Sequence, residues 1–265
     1  EYTVNGRQSH YTGPFRITET SVVTAWATKY GKADSDPVTV LFTLQDMDKG
    51  IKIDEITFPD ANFRGGVTTK LDVNPRDGYI SSNERVSILY VDQLNIASLA
   101  GIQALNFLHE LYCYDNLLES VDLSQNTSLR KLDLSNNCLT SLDLSRNTLL
   151  ESDGVVLTGN HYTVILPAGQ RSFALTSLPG KFDREKAKNW TNAVEKDGIL
   201  TVTDLSNPVT YVYDCGRGFT MTVTLTFTQH THSYTSNVWQ ADDTSHWQLC
   251  DDANCPFPDK GATAK

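Results

Sequence analysis

The feature that most constrains this chain is a ladder of apolar residues with a 21-residue period. Leu108, Leu111, Cys113, Asn116, Leu118, Val121 and Leu123 return as Leu129, Leu132, Leu134, Asn137, Leu139, Leu142 and Leu144. The period falls within the roughly 20–29 residues of leucine-rich repeats. One such unit cannot bury its apolar side alone, so the units must stack into a solenoid. A second motif recurs inside each unit, as Val121-Asp122-Leu123-Ser124-Gln125-Asn126, Leu132-Asp133-Leu134-Ser135-Asn136-Asn137 and Leu142-Asp143-Leu144-Ser145-Arg146-Asn147. Spacings of 11 and 10 residues predict two extended faces per coil. The asparagines suit turns, where their side chains bond nearby backbone.

A looser coil precedes the ladder through Leu89, Val91, Ile96 and Leu99, and the pattern decays after Leu150. Residues 1–45 alternate like strands, and Asn5-Gly6 supplies a turn. Asp60 reads as a helix cap before Ala61, although Gly65 and Gly66 weaken that helix. Residues 161–230 return to alternation and suit a cap on the repeats. The reading is mainly β with α/β solenoid character. It has a partial β-sandwich at 1–45, a lead-in and solenoid at 46–160, a β-rich cap at 161–230, and a small His/Trp/Cys tail at 231–265.

A net charge of -10 repels phosphate backbones and anionic lipid, and no Lys/Arg cluster carries interleaved aromatics. Nucleic acid is therefore set aside as a partner. No apolar run reaches the roughly 18 residues of a transmembrane segment. The opening at Glu1 already reads as structured sequence, so the chain reads as a processed or trimmed fragment. Cys113 and Cys138, at or beside ladder positions, are expected to be buried small hydrophobes.

Leucines of a Leu-x-Leu strand face inward and the residues between them face out. This predicts Tyr112, Tyr114, Asp133 and Ser135 at the surface, with Glu110, Arg130 and Lys131 nearby. Two tyrosines offer large, rigid contact area at low entropy cost. These residues form the candidate ligand-binding face; the plain alternative is solvated scaffold. In the tail, His232, His246, Cys250 and Cys255 match the ligand types of tetrahedral zinc, and His230 can replace His232. A Cys250–Cys255 disulfide or free thiols are the alternatives. Around Gly78, Asp77 and Glu84 have the spacing of a calcium loop, but Val73 and Pro75 fall where ligands are needed, so calcium is not expected. Asp122, Asp133 and Asp143 recur because the repeat recurs, and no nucleophile elbow, phosphate loop or His-Glu-x-x-His helix is present, so the chain is not read as an enzyme. Asn126-Thr127-Ser128 and Asn189-Trp190-Thr191 fit the glycosylation pattern.

The ladder resembles the leucine-rich-repeat region of secreted surface proteins of gut bacteria, with an internalin-like short solenoid. The segments Phe58-Pro59-Asp60-Ala61-Asn62-Phe63-Arg64, Asp77-Gly78-Tyr79-Ile80-Ser81 and Gly101-Ile102 are similar to that family's lead-in. Leu178-Pro179-Gly180-Lys181-Phe182-Asp183 and Tyr211-Val212-Tyr213-Asp214-Cys215-Gly216 are similar to its β region. Tyr11-Thr12-Gly13-Pro14-Phe15 and Thr18-Glu19-Thr20 resemble the later part of a chitobiase-type C-terminal β-sandwich. The tail is similar to short His/Trp/Cys modules of bacterial surface proteins. The resemblance implies a secreted or cell-surface module that recognises a protein or glycan without catalysis. A structural spacer or an accessory module of a larger carbohydrate-active protein is the alternative.

Overall fold

The computed structural model describes residues 1–10, 21–28, 35, 37–42, 50–71, 78–80, 86–231, 233, 239–241, 246–248, 250–251 and 255. The architecture is mainly β. Strands β1 (Tyr2–Val4) and β2 (Arg7–Ser9) form a hairpin. Its turn residues Asn5 and Gly6 both adopt positive φ, 49° and 80°, the geometry that Asn-Gly favours because it matches strand twist. The Asn5 side chain then accepts from the amide of Val22 at 2.9 Å. This ties the hairpin to β3 (Ser21–Ala25), and β4 (Val38–Phe42) completes an antiparallel sheet of order β2-β1-β3-β4. The segment Tyr11–Thr20 that carried the sandwich resemblance lies outside the described residues, as do Asp77 and Glu84 of the calcium-like loop.

The lead-in begins with β5 (Ile51–Lys52), continues through helix α1 (Ala61–Lys70) and returns in β6 (Tyr79–Ile80), which pairs antiparallel with β5. Asp60 caps α1: its Oδ1 accepts from the amides of Asn62 and Phe63, both at 2.9 Å. Its other oxygen accepts from the amides of Ala97 and Ser98, at 2.9 and 3.0 Å. One carboxylate thus ends the helix and pins it to the first coil. The glycines expected to weaken α1 do not break it. Gly66 is buried where a Cβ would come within 2.8 Å of Leu94 Cδ1 and 2.9 Å of Val91 Cγ1, so its lack of a side chain sets how closely helix and coil approach.

The solenoid is a parallel ladder of β7 (Ile88–Tyr90), β8 (Glu110–Tyr112), β9 (Lys131–Asp133) and β10 (Val155–Val156). Leu89, Leu111, Leu132 and Val155 are in register. The ladder leucines are buried, as the period requires. The asparagines stitch coil to coil. Asn116 accepts from the amides of Leu94 and Ile96 and donates to the carbonyl of Val91. Asn137 accepts from Leu118 and donates to the carbonyls of Cys113 and Leu134, and Asn160 repeats the pattern toward Leu139 and Leu157. Buried backbone groups of neighbouring coils find their partners in these amides. The backs of the coils carry turns and one short 3₁₀ segment, Ile102–Ala104, where a second extended face was expected.

Strand β11 (Asn160–Pro167) leaves the solenoid and enters a two-sheet unit. With it come β12 (Ser172–Ala174), β13 (Ala187–Thr191), β14 (Ala193–Lys196), β15 (Ile199–Val202), β16 (Val209–Gly216) and β17 (Phe219–His230). The sheets have orders β11-β17-β16-β13 and β12-β15-β14. In β17, Met221, Val223 and Leu225 are buried and the intervening threonines are not, the period-2 signature of a half-buried strand. Phe173 and Phe227 meet between the sheets, with centroids 6.2 Å apart. One apolar cluster runs from Phe58 through the coils to Leu225, so solenoid and cap share a core. The tail contributes a two-stranded hairpin, β18 (Trp239–Ala241) and β19 (His246–Gln248).

Candidate functional site

Because Leu89, Leu111 and Leu132 point inward, their strand neighbours line one outer face. Ile88, Glu110 and Lys131 are in register, and beside them lie Tyr90, Tyr112, Asp133 and Val156. Adjacent strands sit about 4.8 Å apart, which is close to ring-stacking distance. Tyr90 and Tyr112 therefore stack, with centroids 4.6 Å apart and planes 6° from parallel. Ile88, Tyr90 and Val156 remain 43%, 48% and 40% exposed. The result is an exposed tyrosine pair with Ile88 beside it, separated by Asp133 from Val156 at the far strand of the parallel sheet.

A polar chain holds that strip in place. The Tyr112 hydroxyl donates to Glu110 Oε2 at 2.9 Å, and Lys131 Nζ lies 3.1 Å from Glu110 Oε1. The Tyr112 bond, then the Lys131 bond, hold the Glu110 carboxyl below its ordinary pKa. The same Glu110 contact raises the Tyr112 phenol. Tyr114 is raised chiefly by its hydrogen bond to Asp92. Both tyrosines are thus oriented through their hydroxyls, leaving ring faces and edges to meet a partner.

The structure brings Tyr112, Tyr114, Glu110 and Asp133 together on this face, each half-buried. Ser135 corrects the expectation of exposure: it is buried, and its hydroxyl donates to Asp133 Oδ1 at 2.6 Å. The Asp133 carboxylate also accepts from the Ser135 amide, so both polar groups of this small residue close against its own strand neighbour. Arg130 precedes β9 and reaches Glu151 at 3.9 Å. Tyr90, Ile88 and Val156 were missed. The looser coil through Leu89 and Val91 held the signal, since its 22-residue offset sets Tyr90 opposite Tyr112.

A different grouping forms where the cap meets the tail. His230, Cys250 and Cys255 place their ligand atoms within 4.8 Å of one another, and Cys250 Sγ lies 3.5 Å from His230 Nε2. Among the described residues this group can hold a metal ion. His232 lies outside the described residues, and His246 contributes its backbone to β19. The other thiols differ. Cys113 and Cys215 are buried, and desolvation pushes each up to about 12. Cys138 is only partly buried, which corrects its expected place in the core.

The repeated aspartates are fold carboxylates. Asp122 and Asp143 each accept from the amide of the serine two residues on, at 3.0 Å, and those local bonds hold their pKa values low. They border a groove of about 460 Å³ with Lys181, Lys186 and Tyr213. Of the two glycosylation patterns, Asn126 is buried and donates to the carbonyls of Ile102 and Leu105, so only Asn189 is accessible.

No family model and no curated protein matches this sequence. Among solved structures, the chain is similar to internalin C2 of Listeria monocytogenes, at 18% identity over 44% of this chain and 62% of that one, with a TM-score of 0.32. It is similar to the CBM51-2 and INT domains of Clostridium perfringens ZmpB, at 16% identity over 71% and 38%, with a TM-score of 0.39. A third is the functional domain of InlJ from Listeria monocytogenes, at 19% identity over 53% and 47%, with a TM-score of 0.24. The chain spans less than two thirds of each of these. At these scores the likeness is too loose to carry function. No helix among the described residues is long and apolar enough to cross a membrane.

Proposed function

We propose that this chain is a non-catalytic module of a secreted or cell-surface bacterial protein, and that the solenoid's strand face touches a protein or glycan partner. The stacked Tyr90–Tyr112 pair, with Ile88 beside it on the same strand as Tyr90, carries this reading. Aromatic anchors held rigid before contact lose little entropy on binding. Tyr114, Glu110, Lys131 and Asp133 supply the polar surround; Arg130 stands at its margin. The modules of the chain divide near residues 45, 160 and 230.

A second reading is a structural spacer or accessory module that positions a carbohydrate-active domain. The continuous core from the lead-in to the cap favours it, because a shared core makes a rigid connector. Binding assays separate the two. The chain is tested against immobilised glycans, mucin and extracellular-matrix proteins, alongside Tyr112→Ala and Tyr114→Ala. Saturable binding lost in folded variants supports recognition. Folded variants that bind as the parent does remove the face and leave the spacer.

A further inference from the structure

We propose that His230, Cys250 and Cys255 bind one zinc ion, and that this ion staples the tail to the end of β17. In a tetrahedral site with Zn–N about 2.0–2.1 Å and Zn–S about 2.3 Å, neighbouring nitrogen and sulfur ligands lie about 3.6 Å apart, and two sulfurs about 3.8 Å. Cys250 Sγ and His230 Nε2 are already 3.5 Å apart. All three ligand atoms lie within 4.8 Å of one another, so closure onto the ion, with water in the fourth tetrahedral position, needs about an ångström of side-chain movement.

The scaffold around the site is partly fixed. His230 ends the longest strand of the cap, and its carbonyl accepts from the amide of Ala168 at 3.0 Å, which secures it against β11. Three residues on, the Ser233 hydroxyl donates to Asp251 Oδ2 at 2.9 Å, and the Asp251 amide donates to the Ser233 carbonyl at 2.8 Å. These bonds hold the segment of Cys250 beside the segment of His230. An imidazole from a strand 20 residues away has no role in a Cys250–Cys255 disulfide, but it adds a third protein ligand to a metal site. A two-stranded hairpin is marginal by itself in water. A metal that joins its trailing arm to the cap supplies the staple such a small unit needs.

Binding requires neutral imidazole and deprotonated thiols, so zinc should leave as pH falls. The test uses the whole chain, reduced, loaded with zinc and dialysed, with bound metal measured by elemental analysis. About one equivalent should remain. Cys250→Ser, Cys255→Ser and His230→Ala should each weaken retention at least tenfold, while Cys138→Ser should not change it. Cobalt in place of zinc should give thiolate-to-metal charge transfer, and Cys255→His should keep the metal with a shifted spectrum. Chelation should speed proteolysis of the tail while the solenoid stays intact. A folded, reduced chain without stoichiometric zinc would overturn the proposal. So would retention of zinc by both serine variants, or a Cys250–Cys255 disulfide that forms in the presence of zinc and reductant. None of these outcomes depends on the solenoid face.

Discussion

At its N-terminal end the solenoid is closed by a ten-residue helix; at its C-terminal end it is closed by seven strands in two sheets. The helix buries Phe63 and Val67 in the common core and adds polar stitches: the Asp60 carboxylate spans helix and coil, and Asn62 donates to the Asn95 carbonyl. The cap is held by burial. Tyr211 is fully buried and its hydroxyl donates to the Thr140 carbonyl at 2.7 Å, while Thr140 Oγ1 donates to the Pro179 carbonyl at 2.8 Å. The Leu144 amide bonds the Cys215 carbonyl across the same joint. Exposed end coils must be covered in any solenoid. Both ends join the one core, but the helix commits few side chains to it and the two-sheet cap many, so the helix end should open locally while the cap end follows global unfolding.

Substitutions at the two ends sharpen that contrast. Tyr211→Ala should have the largest effect, about 3–5 kcal/mol of global stability from the cavity and the stranded carbonyl, measured by urea unfolding. Tyr211→Phe should cost about 1–3 kcal/mol by the hydroxyl alone. Asp60→Ala should cost about 1–2 kcal/mol, the range for losing a cap, and the loss should be local. Hydrogen exchange in α1 should quicken while the urea midpoint of the solenoid moves little. If Asp60→Ala lowers the whole transition as much as Tyr211→Phe does, the contrast between the ends is lost. The smallest effect concerns the outer face. Glu110 is held below its ordinary pKa, so its contacts are complete above the unfolded value and disappear only as pH falls through the lowered folded one. Carboxyl NMR should show that depression, and Tyr112→Phe should bring Glu110 back toward the ordinary value.

The ladder was legible because each coil repeats one burial problem, so Leu111, Leu132, Asn116 and Asn137 could be placed from spacing alone. The Asp60 cap was legible for a similar reason: its Oδ1 bonds are to residues two and three further on. Its Oδ2 bonds reach residues 37 and 38 away and depend on how helix and coil pack. Gly66 reads as a helix weakness in sequence and as a close contact in space. Ser135 is buried although alternation faces it outward, because its amide and hydroxyl both bond back to Asp133, a contact the repeat period does not encode. Tyr90 was missed because its coil lacks the strict motif, although its strand is in full register. Residue types single out Cys250, Cys255 and a tail histidine; that His230 meets the thiols depends on packing across 20 residues, which no local pattern spans.

The most direct test of the account is a binding comparison between two surface variants. Tyr90→Ala with Tyr112→Ala alters the strand face; Leu149→Ser alters an exposed position on the coil backs. With both variants folded by circular dichroism, the partner found for the parent chain should be lost by the tyrosine variant and kept by Leu149→Ser. Binding that survives the tyrosine substitutions but fails in Leu149→Ser would contradict it.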